Sequence, residues 1–90
     1  MKITFDLKGS IFGQKEPLVI NVKGNTTIIE AMRALTNKYP NLASLLFNEN
    51  LLRTDILIIA DQIDVISMNM LNNLLKEDQQ ITILPLAHGG

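Results

Sequence analysis

Three stretches of this chain alternate apolar and polar residues, and a stretch between them repeats its apolar residues at spacings of four, three and four. Ile3, Phe5 and Leu7 alternate with Thr4, Asp6 and Lys8, so residues 2 to 8 read as a strand with one buried face. Gly9, Ser10 and Gly13 interrupt the pattern. After Pro17, Leu18, Ile20 and Val22 alternate with Val19, Asn21 and Lys23, which predicts a hairpin with a loose loop. Gly24 and Asn25 close the second strand. Thr27, with Glu30 three residues on, has the form of a capping box and places a helix start near Ile28. Ile28, Met32, Leu35 and Tyr39 then form one apolar stripe that can cover a sheet, and Pro40 stops the helix.

The second half is less regular. Leu42, Leu45 and Leu46 fit a helical turn, whereas Asn48-Glu49-Asn50 fits a surface loop. Ile56 to Ala60 is short, β-branched and bounded by Asp55 and Asp61, as expected of a strand apolar on both sides, with Ile63 to Ile66 folding back across Asp61-Gln62 as a short partner. From Met68 to Glu77, Met70, Leu71, Leu74 and Leu75 are apolar at helical spacing but Asn69, Asn72 and Asn73 compete with the helical backbone, so a loop with a short helical turn is expected. Ile81 and Ile83 oppose Thr82 and Leu84 in a last strand, whose ladder pairing Pro85 is expected to end. Met32, Met68 and Met70 read as core or gap-filling residues. The element order predicts an α+β fold, a mixed sheet of four to five strands packed against one main helix. The first and last strands cannot be joined by a hairpin and are expected side by side, parallel, at the centre of the sheet. That is a β-grasp arrangement, with residues 1–85 as the domain and 86–90 as a flexible tail.

Composition narrows the function. A chain of 90 residues is one domain that buries roughly 60 to 65% of its unfolded surface, which leaves little room for a deep enclosed pocket. No nucleophile–base pair or phosphate-cradling glycine loop is present, which argues against a small enzyme. With no cysteine, the chain itself carries no disulfide, thiolate cluster or thiol nucleophile. A formal net charge of −1 and scattered lysines supply no field for nucleic acid. The first eight residues lack the apolar region of a signal peptide, and the longest apolar run, Ile56 to Ala60, falls far short of the roughly 20 residues that span a bilayer. A cytoplasmic location without membrane contact is expected, as is a monomer. His88 is the sole histidine, and Asp61, Asp64, Glu77 and Asp78 show no ligand spacing, so no metal site is expected.

The chain ends Leu86-Ala87-His88-Gly89-Gly90. At an average glycine frequency of about 7%, two terminal glycines arise by chance in roughly one chain in 200, so context must supply the rest. Five extended residues reach at most about 17 Å, enough for a tail rooted at a strand end to enter another protein's active site. Without a Cβ, Gly89 and Gly90 can pass a narrow channel and leave the terminal carboxylate open to attack on a bound nucleotide. The competing reading is a disordered end or a cloning scar, and a scar would not explain the strand-proline-apolar approach. Leu84, on the sheet face opposite Ile81 and Ile83, and Leu86, beyond the fold, are candidate partner-binding residues. The competing reading is local packing against neighbours of the Phe5 strand or against Leu51 and Leu52.

Ile81-Thr82-Ile83-Leu84-Pro85 followed by Gly89-Gly90 resembles the final strand, proline and diglycine of the MoaD-type members of the ubiquitin-like sulfur carriers and modifiers. That group takes in the MoaD and ThiS carriers, the ubiquitin-related modifier and the small archaeal modifier proteins. Leu74-Leu75-Lys76-Glu77-Asp78 resembles the polar turn before that strand, although Asp78-Gln79 stands where a MoaD sequence usually has Asp-Gly. His88 before the diglycine is familiar from the ubiquitin-related modifier branch. The resemblance implies a protein that is a substrate and not an enzyme. An E1-like partner, using ATP and magnesium, adenylates the carboxylate of Gly90 while Ala87, His88 and Gly89 thread its active site; this chain binds no cofactor itself. A sulfur donor then yields a thiocarboxylate for tRNA thiolation or cofactor synthesis, or lysines of target proteins are conjugated. The alternatives are a molybdopterin synthase small subunit and, in another class, a non-covalent β-grasp interaction module using a sheet face or edge.

Overall fold

A computed structural model describes residues 1–86. Strand β1 (Lys2–Leu7) pairs antiparallel with β2 (Leu18–Asn21), a 3₁₀ turn at Ser10–Phe12 filling part of the connection. Helix α1 (Ile28–Lys38) follows, then a 3₁₀ turn at Pro40–Leu42 and the short helix α2 (Ala43–Leu46). Strands β3 (Phe47–Asn48) and β4 (Leu51–Leu52) form a separate hairpin, and β5 (Ile56–Ala60), β6 (Ile63–Asp64) and β7 (Gln80–Pro85) complete the main sheet. Its order is β2-β1-β7-β5-β6, and β1 and β7 run parallel at the centre. The final strand therefore emerges from the middle of the sheet and not from an edge.

Registry puts one apolar set on one face. Phe5 stands beside Ile81 and Leu7 beside Ile83 across β1 and β7, and Ile83 faces Ile58 and Ile81 faces Ala60 across β7 and β5. All six are buried, as are Ile28, Ala31, Met32 and Leu35 of α1 and Leu42 and Leu46 around α2. Each fully buried Leu, Ile or Phe contributes roughly 1.5–3 kcal/mol of transfer free energy, offset by the entropy of ordering it. Tyr39, the last of the helical stripe, is half-buried at the C-cap.

Helix α1 starts where the capping box requires. Glu30 N–H donates to Thr27 Oγ1 at 3.2 Å, and Glu30 Oε1 accepts from Thr27 N–H and from the Thr27 hydroxyl, both at 2.9 Å. These bonds to the ionised form hold the Glu30 carboxyl below its ordinary range, the Thr27 N–H contributing most. The remaining donors of the first turn are met from a distant loop: Ile28 N–H donates to Asn73 O at 3.1 Å and Ile29 N–H to Leu71 O at 2.9 Å. The loop that supplies them forms hydrogen-bonded turns and not the helical turn expected between Met68 and Glu77. Its carbonyls are committed to α1, and Asn69 takes a positive φ of 54° that a helix excludes. Met70 is half-buried against the core, but Met68 is exposed in these turns and is not a core residue.

Other local differences have equally plain causes. The loop expected at Asn48–Asn50 is the tip of the β3–β4 hairpin, with Glu49 at φ 59°. Arg33 of α1 holds this hairpin: its guanidinium donates to the Asn50 carbonyl and lies 3.8 Å over the Phe47 ring centroid. Asp61 and Gln62, at φ 52° and 65°, make the tight turn between β5 and β6 without a glycine. Strand β5, apolar on both sides in sequence, is covered on one side only: Ile56, Ile58 and Ala60 are buried while Leu57 and Ile59 stay half-exposed on the outer face.

Candidate functional site

The site is built around the end of β7. Leu84 lies opposite Leu57 on the outer sheet face, away from α1, as the alternation with Ile81 and Ile83 predicts. Pro85 does not end the pairing. It stays in register opposite Ile56, and beyond it Leu86 N–H donates to Asp55 O at 2.9 Å. The two-residue period of a strand explains this: Leu84 and Leu86 direct their backbone groups toward β5, so the donor that proline lacks would have pointed away from that ladder.

Both flanks of this strand end are close-fitting. On the β1 side Gly9 adopts φ 112°, and a Cβ placed there would stand 2.9 Å from Pro85 Cδ and 3.0 Å from Cγ. Only glycine lets the backbone run this close to the ring. On the β5 side Arg53 clasps Asp55 in a two-pronged ion pair, Nε to Oδ1 at 2.9 Å and Nη2 to Oδ2 at 2.7 Å. That pairing raises the Arg53 pKa further above its already high ordinary value.

Leu86 is half-exposed and lies over a shallow groove of about 450 Å³, rimmed on its apolar side by Leu52, Leu57, Ile66 and Leu71. Its polar rim includes Asp64, which accepts from the Ser67 hydroxyl at 2.7 Å and from the Ser67 and Ile66 N–H groups at 3.2 Å. The Ser67 hydroxyl bond first, then its N–H, keeps the Asp64 carboxyl below its ordinary range. On the core side of Pro85 a smaller cleft of about 120 Å³ is lined by Ile11, Phe12, Leu45 and Ile56.

Of the residues singled out in sequence, Leu84 and Leu86 come together here, and Leu86 is hydrogen-bonded to the fold instead of lying beyond it. Its apolar neighbours include Leu52; Leu51 stays largely exposed. Ala87, His88, Gly89 and Gly90 lie outside the described residues. Sequence reasoning missed Gly9, Arg53, Asp55 and Leu57 as members of the site. Leu57 could have been found, since it alternates with Ile56 and Ile58; the other three acquire their places only through long-range pairing.

No family model matches the sequence, and no curated protein matches it. Solved structures do. SAMP1 from Haloferax volcanii superposes over 100% of both chains with a TM-score of 0.85 at 18% identity. The small archaeal modifier protein 1 of Methanosarcina acetivorans covers 99% of this chain and 96% of its own, with a TM-score of 0.80 at 23% identity. The chain has the ubiquitin-like β-grasp fold. A chain of the Amycolatopsis orientalis BexX/CysO complex shares it as well, with a TM-score of 0.71 at 24% identity over 98% of this chain and 99% of that one. At such identities the shared property is the backbone. The last strand is central, so its end at Pro85 and Leu86 lies between two neighbours, Gly9 on one side and Asp55 on the other.

Proposed function

We propose that this chain is a ubiquitin-like protein modifier and sulfur carrier, activated at the carboxylate of Gly90. The observation that carries the reading is the seating of Pro85 and Leu86 at the end of a central strand, beside exposed apolar side chains and four residues before a terminus ending Gly89-Gly90. The neighbours named as modifier proteins support it. An E1-like enzyme, with ATP and magnesium, converts the carboxylate into an acyl adenylate and releases pyrophosphate. Sulfide-level sulfur from a donor then displaces AMP to leave a thiocarboxylate, or a lysine amine displaces AMP to form an isopeptide bond. Ala87, His88 and Gly89 thread the partner's channel, while Leu84 and Leu86 with Leu57 form the face that meets its surface. A neighbour solved in a complex, BexX/CysO, is consistent with such a partner face. The chain is the substrate and contributes no catalytic group, and the chemistry belongs in the cytoplasm.

Incubation with a cognate E1-like enzyme, ATP, magnesium and a sulfur donor is expected to exchange one oxygen for sulfur at the C-terminus, read by intact mass. Deletion of Gly89 and Gly90 should abolish it. Conjugate ladders lost on the same deletion, or loss of thiolated uridine in a deletion strain, would separate protein modification from tRNA thiolation, and a stable complex with a MoaE-like subunit would assign cofactor synthesis instead. Failure to form adenylate, thiocarboxylate or conjugate with any cellular extract would sink the proposal.

A further inference from the structure

Among the described residues the Leu86 bond to Asp55 O is the outermost rung between β7 and the β5 side, and Leu86, 43% exposed, is held by packing only in part. A terminal rung in this setting frays unless its acceptor is fixed. The acceptor belongs to a residue whose side chain is held on both carboxylate oxygens by Arg53. Arg53 is anchored in turn: its backbone N–H donates to Leu46 O at 2.9 Å, and its Nη1 to Ser44 O at 3.4 Å. The contacts run from α2 through Arg53 and Asp55 to Leu86, the residue from which the tail departs.

We infer that Arg53 and Asp55 are positioning residues that fix the backbone at Leu86, the root from which residues 87–90 continue. This role rests on the proposed function for its purpose, in which residues 87–90, with a reach of at most about 14 Å, thread a partner's site. A tail rooted in a single direction loses less freedom on entry than one whose root also moves, and the difference is recovered as affinity. Pro85 against Gly9 supplies the opposing wall, so the root is held from both flanking strands. The ion pair is itself part-exposed, 39% and 32% for the two side chains, and its contribution to global stability is correspondingly small. Its effect is local.

Hydrogen exchange of the Leu86 amide in the intact protein tests the clamp without any partner. In Arg53→Gln the Leu86 amide is expected to exchange roughly fivefold faster, the upper range for an exposed two-pronged pair, while the Leu84 amide and the melting temperature stay put. Arg53→Lys, which keeps the charge and loses the fork, should fall between. Unchanged Leu86 exchange in Arg53→Gln overturns the inference, and so does equal acceleration at Leu84, which would mark general loosening. With an E1-like enzyme and saturating ATP, Arg53→Gln should raise KM for the carrier with kcat unaltered; an unaltered KM overturns the positioning role. Absence of adenylation in the unmodified protein would overturn the proposed function, and Leu86 exchange would still decide the clamp.

Discussion

Gly9→Ala probes the close approach of the Gly9 backbone to Pro85. The new Cβ meets two penalties. At φ 112° and ψ 135° an L-residue is strained, which costs about 1–3 kcal/mol. It would also stand 2.9 Å from Cδ of a rigid proline ring, an overpacking cost of about 1–3 kcal/mol. Restricting the unfolded chain returns about 0.4–1 kcal/mol, so the net loss is about 3 kcal/mol, or more than about 10 °C in melting temperature for a domain of this size. Two other glycines act as internal standards in urea denaturation. Gly13 has φ 65° with nothing within 4 Å of where a Cβ would stand, and Gly24 has neither a positive φ nor such a neighbour. Gly13→Ala should cost about 1 kcal/mol or less, and Gly24→Ala should be neutral or stabilise by a few tenths. In a Pro85→Ala background Gly9→Ala should become cheaper by about 1–2 kcal/mol, because the ring is gone. A Gly9→Ala cost no larger than that of Gly13→Ala, or simple additivity of the Gly9 and Pro85 substitutions, would refute this reasoning.

Two further expectations concern local bonding. Glu30 and Asp64 both have carboxyl pKa values lowered in the fold, so the stability they add is complete above the ordinary carboxylate range near pH 4 and is lost as pH falls through the lowered values. Urea midpoints measured down that range should decline less steeply in Glu30→Gln, and Thr27→Ala should cost about 1 kcal/mol at neutral pH. In the turn before β7, Asp78 holds φ 59°, a conformation that glycine adopts without strain, and Lys76 N–H donates to Gln79 Oε1 at 2.9 Å. Chemical denaturation should therefore place Asp78→Gly within about 0.5 kcal/mol of the parent, while Asp78→Val, β-branched at a left-handed position, loses more than about 1 kcal/mol.

The elements whose signals are local were legible. Alternation in residues 2–8 and 81–84 and the Thr27/Glu30 box each rest on neighbours a few positions apart, and each reappears at its place within a residue or so. The errors fall where a partner is remote. Nothing between Met68 and Glu77 announces that its carbonyls serve the first turn of α1, and the local apolar spacing alone favoured a helical turn. Met68 looked like a core residue because hydrophobicity carries no address. Pro85 looked like the end of a ladder because proline lacks a donor, and which strand that donor would have faced depends on the pairing.

By its own pattern the sequence determined the α+β class, the helix with its cap and the side of β7 on which Leu84 lies, since strand and helix periods are properties of neighbouring residues; the parallel central pair followed from element order, because no hairpin can join the first and last strands. Tertiary structure alone decided how the tail is rooted. Gly9 is a turn residue until β1 and β7 bring Pro85 against it, and Arg53 and Asp55 are two surface charges until β5 pairs with the last strand and turns a backbone carbonyl of one of them into the anchor of Leu86. Contacts between positions so far apart in the chain carry no periodic signature, because folding and not adjacency creates them.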